Sequence, residues 1–374
     1  MTNSWEILGG DILGDTGFQT GVLHIDEGKI SNDPAKNMLP YNAEDAWILP
    51  GIVDLHGDGF ETIVEPRPGV HFPFELAYRE ADRQMISNGI TTGFHALTIS
   101  WEPGLRDISV SRALWSALHS ISGSLDCDAR FNLRWETFAL DHVDEVIGWL
   151  SAQSGDILSI NDHTTANHGL SEDSAKLKRM AARMGLSPAE AQSKVAEVWA
   201  RREEVPAATD DICARAAKLG RTAMSHDDAT PQDRQIGRIR NLTVSEFPTT
   251  LEAAQEARAA GEQVIMGAPN ALRGHSHNGA LCATQAIKRG LCTILASDYY
   301  YPAQFYAAFR LADEGVLPLD EAWALVSTNP AAAVGLTDRG TLSAGKRADL
   351  LVVDKETRKI KTVFVEGRRV LDRS

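Results

Sequence analysis

Eight short apolar runs punctuate the chain, and each stops at or near a polar residue able to bind a metal ion or move a proton. In order they are GIVDLHGD, ending at His56 and Asp58; TTGFHAL, with His95; FNLRWE, ending at Glu136; and ILSINDH, ending at Asp162 and His163. They continue with TAMSHDD, carrying His226; LTVSEF, carrying Glu246; VIMGAPN, ending at Asn270; and TILASD, ending at Asp298. Runs this short, separated by helix-length segments, predict strands of a parallel sheet, because such strands are buried on both faces. Eight of them predict a (β/α)8 TIM barrel over residues 50–339. Polar residues at the carboxyl ends of barrel strands converge on one mouth, so the same pattern predicts an enzyme with a metal-centred site.

The two ends of the chain follow a different rhythm. WEILGGDIL, TGVLHIDEGKI and AWILP alternate apolar and polar positions between glycine and aspartate turns, and GTLSAGKRADLLVVD and TVFVEGRRVL repeat that pattern near the carboxyl end. Both predict antiparallel strands, so residues 1–49 and 340–374 are expected to join as one small β-sandwich domain. The longest gap between apolar runs lies between His163 and His226. It holds KLKRMAARMGLSPAEAQSKVAEVWARREEV, with apolar positions at helical spacing, which predicts a helical insertion at about 166–220 over the mouth. Ser187, Pro188 and Glu190 form a helix start, with a capping oxygen, a first-turn proline and the glutamate of a capping box. A lid and a plain surface hairpin both fit this segment.

Composition narrows the class. The chain has 374 residues, 43% of them hydrophobic and 24% charged, which suits one barrel with a smaller appended unit. No apolar stretch approaches the ~20 residues of a membrane span, and MTNSWEILGGD lacks the basic and apolar regions of a signal peptide, so a cytoplasmic location is expected. The net charge of −14 argues against nucleic-acid or anionic-membrane partners, which need a basic surface. A small anionic substrate remains compatible, since a pocket can be locally basic. The four cysteines form no CxxC pair, which predicts free thiols rather than a zinc-thiolate site or disulfides.

His56 and Asp58 are two apart, so an extended backbone presents both to one ion. Their alternative is an ordinary histidine–carboxylate hydrogen bond. Company favours the metal: Glu136, His163, His226 and Asp298 end later runs and supply nitrogen and oxygen donors suited to zinc, manganese or iron. Several carboxylates at one mouth without a cation would repel one another. Asp298 is the candidate catalytic residue, able to hold a water on the metal and accept its proton; its alternative is to cap the helix that begins near Pro302. Arg67 in EPRPGV and Arg273 in APNALRGHSHNG follow strand ends in loop-like stretches, and a guanidinium fork matches phosphate oxygens. His275, Ser276 and His277 extend that second candidate phosphate contact. His95 is a candidate for the layer behind the metal ligands. His24, His71, His119 and His142 lie away from the strand ends and read as surface or structural.

LPGIVDLH, a late strand-ending SD, NPAAAVGL and GTLSAGKRADLLVVD resemble the amidohydrolase superfamily. More narrowly, HGDGFETIVEPRPGV, NGITTGFHAL, SHDDATP, SEFPTTLEAAQEARAAG, MGAPNALRGHSHNG and LASDYYYPAQ resemble its phosphonate-metabolism branch, and the likeness runs from about residue 48 to the end. The resemblance implies hydrolysis with one or two divalent ions, releasing pyrophosphate from α-D-ribose 1-methylphosphonate 5-triphosphate. It matches His56 and Asp58 to the family's HxD, Glu136 to its LRxE glutamate, His163 to its strand-ending DH, His226 to the SHDD histidine and Asp298 to the SD aspartate. Glu246 falls in the EFPTT segment, where many amidohydrolases place a histidine ligand. Three departures bear on the substrate: HGDG where the family usually has HTDN, His95 where its second strand usually ends in aspartate, and TTANHG after His163 where a proline-glycine-glutamine run is usual.

The expected partner is therefore a small phosphorylated substrate, and a homodimer is the expected assembly. Two alternatives differ in what they release or bind. A C–N hydrolase with the same metal would yield an amine or ammonia; a non-enzymatic scaffold would need no stoichiometric ion.

Overall fold

The eight apolar runs form eight neighbouring parallel strands. With the flanking strands, in chain order, these are β1 (Trp5–Gly14), β2 (Gly17–Asp26), β3 (Lys29–Ser31), β4 (Leu39–Asn42), β5 (Ala46–Pro50), β6 (Ile52–Gly57), β7 (Ile90–Ile99) and β8 (Asp128–Glu136). The rest are β9 (Ile157–Asn161), β10 (Ala223–His226), β11 (Val244–Glu246), β12 (Gln263–Gly267), β13 (Ile294–Ala296), β14 (Leu350–Asp354), β15 (Ile360–Val365) and β16 (Arg368–Asp372). The computed structural model describes residues 4–67, 69–153, 155–274 and 281–373.

Strands β6 to β13 pair in sequence order, and the sheet curls until Gly57 meets Asp298 in a parallel bridge. Asp298 N–H donates to the His56 carbonyl at 2.9 Å, and Asp58 N–H donates to the Asp298 carbonyl at 3.0 Å. This closure makes the (β/α)8 barrel. Every residue of β6, β7, β9, β11 and β13 is buried, as strands enclosed on both faces must be. Val53, Leu55, Phe94, Met224, Val244 and Ile265 belong to one core cluster, and the surrounding helices pack onto the other strand faces in a larger one.

The chain ends meet, but in one mixed sheet rather than a purely antiparallel one: β1 pairs antiparallel with β2 and parallel with β4 and β5. β5 and β14 pair antiparallel, from Pro50 opposite Leu350 to Ala46 opposite Asp354, inside an eight-stranded sheet built from both termini. Side chains alternate across a strand. Ile48, Leu350 and Val352 therefore join Trp5, Ile7 and Ile25 in a core belonging to this unit, whereas Leu49, Leu351 and Val353 pack into the barrel's outer core. One sheet thus fastens itself to the barrel through its second face.

After β9 the chain forms a helical hairpin, Ala175–Met184 and Pro188–Trp199, with its own core around Leu177, Met180, Met184 and Val195. Ser187 caps the second helix as its sequence predicts: its hydroxyl accepts from Glu190 N–H at 3.3 Å while the Glu190 carboxylate accepts from Ser187 N–H at 2.8 Å. The next helix, Val205–Lys218, is an ordinary barrel helix that buries Ile212, Cys213 and Ala216 in the outer core. The added structure is thus shorter than the helical spacing suggests, because an insertion helix and a barrel helix have the same period. All four cysteines are free. Among the described residues no helix is long and apolar enough to cross a membrane.

Candidate active site

Barrel closure brings the first and last strands together at the mouth. His56, Asp58 and Asp298 each place a donor atom within 4.8 Å of the others. His226, ending β10, belongs to two further groups of the same spacing, one with His56 and Glu246 and one with His163 and Asp227. The His56 and His226 rings lie 5.7 Å apart between centroids, as do those of His163 and His226. His56, Asp58, His163, His226 and Asp298, far apart in sequence, thus share one opening.

The register of β6 against β7 slips between Asp54 and Gly57, and the buried His56 ring reaches β11. Its Nδ1 lies 2.7 Å from Glu246 Oε1. Glu246 is wholly buried; it also accepts from Asn132 Nδ2 at 3.1 Å and Ser159 Oγ at 2.8 Å. Burial alone would raise the Glu246 pKa, but the charge and hydrogen bond of His56 hold it down at about 2. Burial, the largest single influence, disfavours a charged His56 ring, yet the charge and hydrogen bond of Glu246 together with the Asp58 charge raise its pKa. His56 Nε2, meanwhile, is buried with no hydrogen-bond partner. The surroundings favour positive charge at that nitrogen, and a metal cation supplies it. A carboxylate holding the far nitrogen of a histidine ligand is the usual outer support of a metal site. The donor set therefore fits a divalent ion, with Glu246 as the residue that orients His56.

Asp298 adopts a left-handed backbone, φ 56°. Burial and the neighbouring Asp58 charge push its carboxyl up to about 6, against the opposing pull of His56 and Arg134. It does not cap the following helix: Ala303–Asp313 starts at Pro302 without a side-chain cap.

Two site residues escape the strand-end reading. Arg134 Nη1 lies 3.9 Å from Asp58, and its Nη2 donates to His226 Nε2 at 3.3 Å. Its position two before Glu136 in β8 was the available signal, since alternate strand residues share a face. Asp227, half exposed, places Oδ2 3.1 Å from His226 Nδ1 and 3.8 Å from His163 Nε2. It follows His226 directly in SHDD, with φ 61°.

Glu136 stands slightly apart. Its carboxylate accepts from the backbone of His163 at 3.1 Å and from the backbone and hydroxyl of Thr164 at 3.0 and 2.7 Å. These are first-turn groups of the helix His163–Asn167, whose amides have no partners within it. Glu136 belongs to none of the three donor groups, and its Oε2 lies 3.6 Å from His163 Nδ1. The exposed Arg67 follows β6, its carbonyl accepting from Val70 N–H at 2.9 Å. The exposed Arg273 ends the helix Ala268–Arg273. His275, Ser276 and His277 lie outside the described residues.

Two departures from the family pattern have a packing cause. A Cβ on Gly57 would fall 2.8 Å from Asp54 Oδ2 and 3.2 Å from the Tyr301 ring, and one on Gly59 would fall 3.2 Å from that ring. The glycines of HGDG make room for Tyr301. His95 sits among Phe60, Tyr78 and Phe131, with neither ring nitrogen hydrogen-bonded, and burial drives its pKa down to about 3. It is a neutral core residue whose backbone pairs with Gly57, between His56 and Asp58, while its ring packs among aromatic side chains.

Residues 204–370 match the model of the amidohydrolase family. Over 374 aligned residues, covering 94% of this chain and 96% of the relative, the chain is 32% identical to the α-D-ribose 1-methylphosphonate 5-triphosphate diphosphatase of Escherichia coli (strain K12). Similar folds include an amidohydrolase from a Sargasso Sea environmental sample, 16% identical, TM-score 0.67, covering 99% of this chain and 93% of that one. Molinate hydrolase is another, 13% identical, TM-score 0.65, covering 99% and 95%.

Proposed function

This chain belongs to the amidohydrolase family, as a hydrolase of its phosphonate-metabolism branch, and on that premise we propose that it cleaves pyrophosphate from α-D-ribose 1-methylphosphonate 5-triphosphate. The supporting observation is the joining of near full-length similarity to that diphosphatase with convergence of His56, Asp58, His163, His226 and Asp298 at one barrel mouth. Zinc, manganese and iron all suit these donors. His56 Nε2, Asp58 and Asp298 would hold one ion; His163, His226 and Asp227 would hold a second. Such an ion lowers the pKa of water and polarises a phosphoryl oxygen.

The remaining work falls to the chain's own groups. Asp298 takes up the proton of the attacking water. The water oxygen bonds to the phosphorus nearest the ribose, the bond from that phosphorus to the bridging oxygen breaks, and pyrophosphate leaves with the electron pair. Glu246 keeps His56 in one tautomer, and Glu136 fixes the helix that carries His163. Arg134, fixed between Asp58 and His226, balances the acidic mouth. Arg67 and Arg273 meet phosphate oxygens from the segments after β6 and β12.

The test is to incubate metal-loaded enzyme with the ribose phosphonate triphosphate and identify the phosphorus products. Pyrophosphate together with the 5-monophosphate is expected. Orthophosphate alone, or no reaction while a C–N substrate yields ammonia, would overturn the proposal.

A further inference from the structure

Beside His163 lies a pocket of about 260 Å³ whose wall includes Arg106, Asn167, Lys176, Arg179 and Arg183. We propose that this basic pocket, half of it supplied by the helical hairpin, is the subsite for the terminal diphosphate of the substrate. The inference rests on the triphosphate chemistry proposed above and adds the place where the leaving group is held.

In a protein of net charge −14 such a concentration of cations is a local reversal. Two of the guanidiniums are anchored from behind. Arg106 Nη2 lies 3.3 Å from Glu61, and Arg183 donates to Glu102 through Nε at 3.0 Å and Nη2 at 2.6 Å. A guanidinium has five N–H donors, so these bonds orient each fork without exhausting it. Arg106 Nε is buried and has no partner. Lys176 and Arg179 lie three residues apart on the helix Ala175–Met184, hence on one face. Both are exposed, and among the described residues neither has a carboxylate partner. Two cations are thereby left to be balanced by a ligand.

Position and size define that ligand. His163 lines the pocket and also belongs to the donor group with His226 and Asp227, so the pocket opens onto the proposed reaction centre. At about 260 Å³ it falls below the roughly 300–1,000 Å³ of sites enclosing a whole drug-sized ligand. It therefore holds one end of a molecule. Several guanidiniums match a multiply charged oxyanion group such as a diphosphate better than a single carboxylate. A diphosphate held here would place the bond to be broken toward His163, with the ribose extending across the mouth. The hairpin is then a fixed wall for the phosphate chain.

The test is isothermal calorimetry of metal-loaded, full-length protein with inorganic pyrophosphate and, separately, inorganic phosphate. Any metal contribution is common to wild type and variants, so the difference reports the pocket. Wild type should bind pyrophosphate more tightly than phosphate. Lys176→Ala with Arg179→Ala, both at exposed positions, should weaken pyrophosphate binding by about 10-fold or more, and Lys176→Arg with Arg179→Lys should restore most of it, as expected for charge-assisted contacts. Equal pyrophosphate affinity in wild type and the double alanine variant, or no binding by wild type, would overturn the subsite. Failure of the reaction is separate: a protein that binds pyrophosphate through these residues yet releases none from the triphosphate keeps the pocket and loses the proposed activity.

Discussion

Asp298 N–H donates to the His56 carbonyl at 2.9 Å, so one backbone bond both closes the barrel and joins the last of the expected donor residues to the first. The Asp298 carbonyl returns the link by accepting from Asp58 N–H. Closure therefore depends on the backbone of Asp298, while its chemistry depends on the carboxylate.

That division makes Asp298→Asn a clean test. Asparagine also tolerates the left-handed backbone found there, φ 56°. The variant should keep the wild-type melting temperature and lose about 100-fold or more in kcat, the scale of a missing proton acceptor. An unchanged kcat would remove Asp298 from proton transfer.

Glu246→Gln addresses the support behind the metal. The side chain keeps its shape but loses the charge facing His56 Nδ1 at 2.7 Å. Outer partners of this kind typically contribute about 10–100-fold to metal affinity. Titration with a competing chelator should show a loss of that size for zinc, and unchanged affinity would mean that His56 needs no carboxylate to hold its orientation.

Gly57 and Tyr301 should behave as a packed pair. Gly57→Thr pushes a side chain against Asp54, Ser297 and the Tyr301 ring, at a cost of about 1–3 kcal/mol for overpacking. Adding Tyr301→Leu should recover part of that loss. A double-mutant cycle in denaturant measures the coupling; strict additivity would show that Tyr301 is not the reason for glycine.

Asp156 gives a pH signature remote from the mouth. Burial, the largest influence, raises its carboxyl to about 7 despite the Phe131 N–H bond and nearby arginines. A raised folded-state pKa favours the fold when the group is protonated. Its contribution is complete below the unfolded value near 3.8 and is lost as pH rises through about 7. Wild type should lose melting temperature progressively between about pH 4 and 7 relative to Asp156→Asn, which cannot ionise. Parallel profiles for the two proteins would contradict this.

The barrel was legible because parallel strands are apolar on both faces and stop where they reach the mouth. Those stops, at His56, His163, His226 and Asp298, also exposed much of the donor set. Arg134 sits inside an apolar run, and its one local signal was its position two before Glu136, which puts both residues on one face of β8. Asp227 depends on the left-handed turn after His226, a conformation that a non-glycine residue does not announce. Glu246 ends its run as the donor residues do and shares a donor group with His56 and His226, but its 2.7 Å approach to His56 Nδ1 is visible only in the fold. Lys176 and Arg179 lie in a segment whose sequence fitted a lid and a plain surface hairpin alike, and only the fold sets them beside Arg106 and His163.

The most direct measurement is anomalous diffraction from crystals of the metal-loaded protein, recorded on either side of the absorption edge of the bound ion. The account predicts a peak at about 2.0–2.2 Å from His56 Nε2 and from carboxylate oxygens of Asp58 or Asp298. A catalytically active crystal whose only ordered ion lies away from this mouth, with His56 Nε2 still unligated, would contradict it.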